Sequence, residues 1–295
     1  MGKKTFHMPT DTELLQLAGA ATESAARKLT AAQLLLDAGQ WAEAFANAAL
    51  GFEELGKAQL CFMVINIPDQ FRSELTPKEF GRMFNGHEAK ASFAHLILRG
   101  ILDEDAPAAV TDLVAEAEAA AALTNDTKFR GLYVDLKADG SLSHPDDISE
   151  DAANWMVDRL RRLLDWIGPM FAAMSEDGEV FLAFAREFRA NLDVAAIASA
   201  VESDVDTWMA QLRGAVRDNV PAPAWMEDAL PALPGAAPRA AIPAQPTMAA
   251  LPPADLPPIR RRTATRPPAT ETGMERSPRR RRYFATRWFA SSWSS

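Results

Sequence analysis

Trp41-Ala42-Glu43-Ala44-Phe45-Ala46-Asn47-Ala48-Ala49-Leu50-Gly51-Phe52-Glu53-Glu54-Leu55-Gly56-Lys57-Ala58 is the stretch that decides the fold. Trp41, Phe45, Ala48, Phe52 and Leu55 recur at steps of 4, 3, 4 and 3, the apolar stripe of a helix in a bundle. The pattern predicts a helix over 40–66, stopped by Pro68. Upstream, 11–37 reads as a helix capped by Thr10 or Asp11 and ended by Gly39. Downstream, Thr76-Pro77-Lys78-Glu79 is a capping box with proline at the first helical position. The helix it opens runs toward Leu102, with a break expected near Asn85-Gly86. An alanine-rich helix follows over 106–124. The segment 124–145 reads as a short extended stretch or ordered loop with a Gly140-Ser141 turn. Ser149 or Asp147 starts a helix over 149–174, and 177–217 forms one helix or two. Runs of alternating β-branched residues are missing. The fold class is therefore all-α, an antiparallel bundle of about six helices.

Composition divides the 295 residues unevenly. From Val220 onward there are 14 of the 20 prolines, 11 arginines and five acids, a net of +6. The whole chain is −9, so residues 1–219 carry −15. The expected organisation is a helical domain over 1–175, a helical extension over 176–219 packed on it, and a disordered tail over 220–295 rich in Pro, Ala and Arg. At the tail's end, Arg279 to Arg282 with Tyr283, Phe284, Arg287, Trp288, Phe289 and Trp293 mixes cations with aromatics. Such a mix can hold RNA or rest on an anionic membrane surface, and membrane contact is the less favoured of the two.

Other classes fall away. One cysteine, Cys61, forms no internal disulfide and no cysteine-based zinc or iron–sulfur cage. The N-terminus lacks a signal-peptide core, and no apolar run is long enough for a membrane span, so a cytoplasmic protein is expected by elimination. No phosphate-cradling G-x-x-x-x-G-K-[ST], G-x-G-x-x-G or G-x-S-x-G motif is present. Ala91 stands where a zinc-protease helix starting at His87-Glu88 needs its second histidine. His95 lies on nearly the same helical side as His87, but no third metal ligand is visible. No cofactor and no metal are expected.

Three constellations remain. Glu53, Glu54 and Lys57 flank the stripe of the 40–66 helix, where Lys57 can pair with either acid. Between them, Gly56 costs about 1 kcal/mol against alanine, which a closely approaching helix or ligand would explain. Arg82-Met83-Phe84-Asn85-Gly86-His87 is an R-x4-H spacing, and a break at Asn85-Gly86 can bring both side chains to one pocket. An imidazole can take the proton of a ribose 2′-OH or give one to the leaving oxygen. An arginine can clamp the phosphate, with Lys90 one turn on as a further contact. Arg130-Gly131-Leu132-Tyr133-Val134-Asp135 reads as a loop pinned on the bundle. Arg130 and Asp135 can pair with each other or with Glu54, Lys57 or His87.

Gly39-Gln40-Trp41, the Glu53-Glu54-Leu55-Gly56-Lys57-Ala58 run, His87-x-x-Lys90 and the 130–135 run occur in that order. Together they resemble the AbiV family of bacterial abortive-infection proteins, grouped with the HEPN superfamily, over roughly 25–175. The resemblance implies phage defence, with RNA or translation as the target and a phage or host protein as trigger. Many HEPN domains are metal-independent RNases acting as homodimers, with a signature of Arg, a polar residue, several others and His. On this chain the catalytic pair would be Arg82 and His87, with Met83 at the polar position. Glu53, Glu54, Lys57, Lys90, Arg130, Tyr133 and Asp135 would shape the pocket. The alternative is a non-catalytic module that arrests translation or phage growth by gripping a partner.

Overall fold

The computed structural model describes residues 7–191 apart from 104–106, 108 and 137–138. Helix α1 spans Asp11–Asp37 and opens on Thr10, whose hydroxyl accepts from the Glu13 amide while Glu13 accepts from the Thr10 amide. Gly39, at φ +73°, turns the chain into α2, Trp41–Asn66. The break expected at Gly86 is real. It separates α4, Pro77–Asn85, from α5, His87–Ile97, after a one-turn α3, Asp69–Arg72. A π-type turn, Leu98–Leu102, ends that arm. Then come α6, Val110–Leu132, α7, Glu150–Glu176, and α8, Gly178–Asn191. The fold is all-α, and the one ribbon among the described residues pairs β1, Asp135–Leu136, with β2, Leu142–Ser143. The rest of the expected extension, 192–219, and the tail, 220–295, lie outside the described residues.

Helix α2 is the axis of the bundle. It packs on α1, α5, α6 and α7. The stripe read from the sequence is only one of its buried sides. Ala44, Ala46, Ala49, Gly51, Ala58, Leu60 and Cys61 are buried as well, as a helix apolar all round must be. Small residues on every face let four neighbours approach closely. Trp41, by contrast, is partly exposed. The seam toward α7 is supplied by Met156, Leu160, Leu163, Ile167 and Phe171.

Helix α6 corrects the reading of 106–124. It starts later and continues to Leu132, so Arg130, Gly131 and Leu132 are its last turn rather than part of a loop. Tyr133 and Val134 follow it exposed, not pinned on the bundle. No helix among the described residues is long and apolar enough to cross a membrane.

His95 has a structural place. Only 1% exposed, it lies against the Phe52 ring (centroids 4.6 Å) and near Trp155 (6.2 Å). Its Nε2 is 3.0 Å from Thr124 Oγ1. One ring thus touches α2, α6 and α7. Burial, helped by the charge of Arg159, pushes its pKa down to about 3. The unfolded chain binds this proton near pH 6.5 and the fold does not, so stability is full above that value and falls as pH drops toward 3. The loss between pH 7 and pH 5 is expected at about 2 kcal/mol. Asp11 does not contribute in that window. Burial works against its ionisation, but hydrogen bonds from Arg189 and Arg72 outweigh it and hold its pKa below the usual carboxylate value. Urea unfolding at the two pH values measures the slope. The non-titrating His95→Gln should flatten most of it, whatever it does to absolute stability; an unchanged slope would assign the acid sensitivity elsewhere.

Candidate functional site

Most of α2 is enclosed, so a charged residue on its inner faces has little access to water. Glu53 is such a residue, 3% exposed. The sequence placed it at the flank of a stripe; the structure places it inside. A buried carboxylate is tolerated only when it is paired and hydrogen-bonded. Glu53 receives its partners from two helices. Lys128 of α6, equally buried, donates to Oε1. His87, the first residue of α5, donates from Nδ1 to Oε2 at 2.6 Å. Lys90, one turn further, brings its Nζ to 3.8 Å from Oε2. Burial, the largest influence, lowers the Lys90 pKa against the opposing attraction of Glu53.

Two glycines set these helices at the required distance. A Cβ on Gly56 would stand 1.9 Å from the Lys90 carbonyl oxygen, so α5 rests directly on the α2 backbone there. A Cβ on Gly131 would stand 2.9 Å from the Ala42 carbonyl oxygen, the matching approach of α6. The mid-helix glycine that the sequence left to a helix or a ligand is thus explained by a helix. The residue it touches is itself a partner of Glu53.

His87 is the outward member of the cluster, its side chain 49% exposed. The carboxylate accepts from Nδ1, which leaves Nε2 outside this hydrogen bond. The ring edge faces Phe129 at 86°, centroids 6.2 Å apart. The carboxylate serves two ammonium groups and an imidazole, which leaves the cluster with a positive excess. Beside it, Lys57 and Glu54 form their own neutral pair at 2.6 Å.

The remaining sequence candidates divide. Arg82 is exposed on α4, on the other side of the Gly86 junction from His87. Arg130 does not reach Asp135, Glu54, Lys57 or His87. It pairs within its own helix, with Asp126 at 3.1 Å and Thr127 Oγ1 at 3.0 Å. Asp135 caps the Leu136 amide at 2.8 Å in the ribbon. Tyr133 stacks on Phe129. Cys61 is buried, which raises its thiol to about 12 and removes it as a nucleophile.

Lys128 and Phe129 were missed. A signal was available: Ala117, Ala121, Thr124, Lys128 and Gly131 recur at steps of 4, 3, 4 and 3, and all five are buried. That is the pattern which revealed the stripe of α2. A helix ended at Thr124 stops before the last two turns, which carry Lys128 and Gly131.

A family model described as AbiV (HEPN_AbiV) matches residues 13–165, just over half of the chain and all of the cluster. Neither the curated proteins nor the solved structures contain a match to the chain.

Proposed function

Because the chain belongs to the AbiV family of HEPN-type proteins, whose role is abortive infection, we propose that it arrests phage growth as a metal-independent endoribonuclease. The observation that supports this reading is the Nδ1–H···Oε2 hydrogen bond between His87 and Glu53. It orients the imidazole and leaves Nε2 as a base. Nε2 takes the proton of a ribose 2′-OH, and the 2′-oxygen attacks the adjacent phosphorus. The bond from phosphorus to the 5′-oxygen breaks, and the imidazolium returns its proton to that oxygen. The products are a 2′,3′-cyclic phosphate and a 5′-OH. Arg82, exposed five residues before His87, clamps the phosphate. Infection supplies the trigger through a phage or host protein, and a homodimer places two such clusters in one particle.

A second reading is favoured by the burial of Glu53 and Lys128, whose ion pair ties α2 to α6. The cluster would then be a staple of the fold, and arrest of translation would come from gripping a partner. Titration separates the two: sub-stoichiometric inhibition means turnover, stoichiometric inhibition means binding.

RNA integrity in phage-challenged cells carrying wild-type, Arg82→Ala or His87→Ala protein at matched expression tests the proposal. Cyclic-phosphate ends should appear with the wild type and fall by about 10²–10⁴-fold with His87→Ala, the usual worth of a general acid–base. The far-UV helical signal of the variant should be unchanged. Defence at full strength with His87→Ala would reject the nuclease.

A further inference from the structure

Two rings beside His87 take no part in that reaction. Phe129 is 42% exposed and Tyr133 60%, one turn apart at the end of α6. Their planes lie 21° apart, with centroids at 6.4 Å. The Tyr133 amide donates to the Phe129 carbonyl at 3.0 Å, which fixes the second ring over the helix terminus. The Lys128 ammonium stands 4.7 Å from the Phe129 centroid. His87 meets the same ring edge-on. The result is a row of three rings running outward from the buried carboxylate.

Exposed aromatic rings have a preferred kind of occupant. Nearly parallel faces suit a flat ring, and on the nuclease reading His87 beside them holds a phosphate. A nucleobase attached to a phosphodiester has both properties. We propose that Phe129 and Tyr133 form a stacking subsite for an unpaired nucleobase next to the phosphate held at His87. The subsite deepens the nuclease reading and rests on it. Bases in a duplex are stacked on each other and cannot reach it, so the subsite selects single strands. Exposed Leu132, Val134 and Leu136 nearby would suit a second copy of the chain instead. The position of the rings against His87, where the proposed reaction holds a phosphodiester, favours the nucleic acid.

The test uses the full chain and a short oligodeoxyadenylate carrying one 2-aminopurine. The oligonucleotide has no 2′-OH and cannot be cut by the proposed chemistry. Wild-type protein should bind it and quench the 2-aminopurine. Tyr133→Ala and Phe129→Ala should each weaken binding by roughly 5- to 100-fold, the range for loss of one base–aromatic stack. Tyr133→Phe should bind as wild type, because the ring and not the hydroxyl is the contact. Both rings are exposed, and the helical signal reports whether each variant folds. Equal binding by Tyr133→Ala and wild type would overturn the subsite, as would equal binding of the strand annealed to its complement. So would loss of a dimer in Tyr133→Ala with binding unchanged, which would assign the rings to a second copy. RNA cleavage by Tyr133→Ala at the wild-type rate, with binding intact, removes the subsite and leaves the nuclease standing. Ring-dependent binding without cleavage by wild type removes the nuclease and leaves the subsite.

Discussion

Gly56→Ala is expected to lower stability by about 3 kcal/mol or more, although alanine is the better helix former by about 1 kcal/mol. The added methyl would stand 1.9 Å from the carbonyl oxygen of Lys90 and 2.7 Å from its carbonyl carbon. Both atoms belong to the backbone of α5, so no rotamer change relieves the contact. Either α5 moves away from α2 or α2 bends. Both movements carry His87 and Lys90 away from Glu53, so defence should fall together with stability. Urea denaturation followed by the helical signal measures the first effect, and phage plating on cells carrying the variant measures the second. A Gly56→Ala protein as stable as wild type would mean that the two helices do not cross this closely.

Much of the architecture was legible because it is written in local spacing. Thr76-Pro77-x-Glu79 and Asn85-Gly86 announce one helix start and one break, and both occur where the residues place them. What local spacing does not carry is how many sides of a helix are covered. The stripe from Trp41 to Leu55 showed one buried face of α2. That the opposite face is also buried depends on α5 and α6 arriving there, through contacts of long sequence separation. Glu53 was therefore read as a flanking charge, since acids are almost never fully buried unless paired. Its pairing partner Lys128 is 75 positions away. The alternation of Leu132, Tyr133, Val134 and Asp135 suggests a pinned loop and does not carry the exposed place of Tyr133 just past the end of α6. The reaction proposed for Arg82 and His87 needs both side chains on one phosphate, which the sequence spacing alone does not specify.

The last expectation concerns Glu53 itself. Glu53→Ala removes the one carboxylate shared by Lys90, Lys128 and His87, and leaves two ammonium groups in a site closed to water. Breaking a buried pair from one side typically costs about 3–5 kcal/mol, because the surviving charge is uncompensated. The pH dependence identifies the cause. Burial already holds Lys90 below the ordinary lysine value, with Glu53 the main force opposing it. Without Glu53 the folded-state value drops further below the unfolded one. Between the two values the fold binds fewer protons than the unfolded chain, so the penalty is full at low pH and disappears as pH rises. The gap in urea midpoint between wild type and Glu53→Ala should therefore narrow from pH 7 to pH 9. A gap of constant size would mean that the loss is one of packing, not charge. Glu53→Gln tests the chemistry. Its amide keeps the volume and can still accept from Lys128, but it carries no charge to offset the two ammonium groups, so it recovers only the packing and hydrogen-bond part of what Glu53→Ala loses. It no longer fixes the proton on Nδ1 of His87, so Nε2 loses its assured role as base. RNA cleavage by Glu53→Gln should fall and its pH profile should shift relative to wild type. If cleavage and profile both stay at the wild-type level in a stable Glu53→Gln protein, the carboxylate is a staple of the bundle and does not position His87.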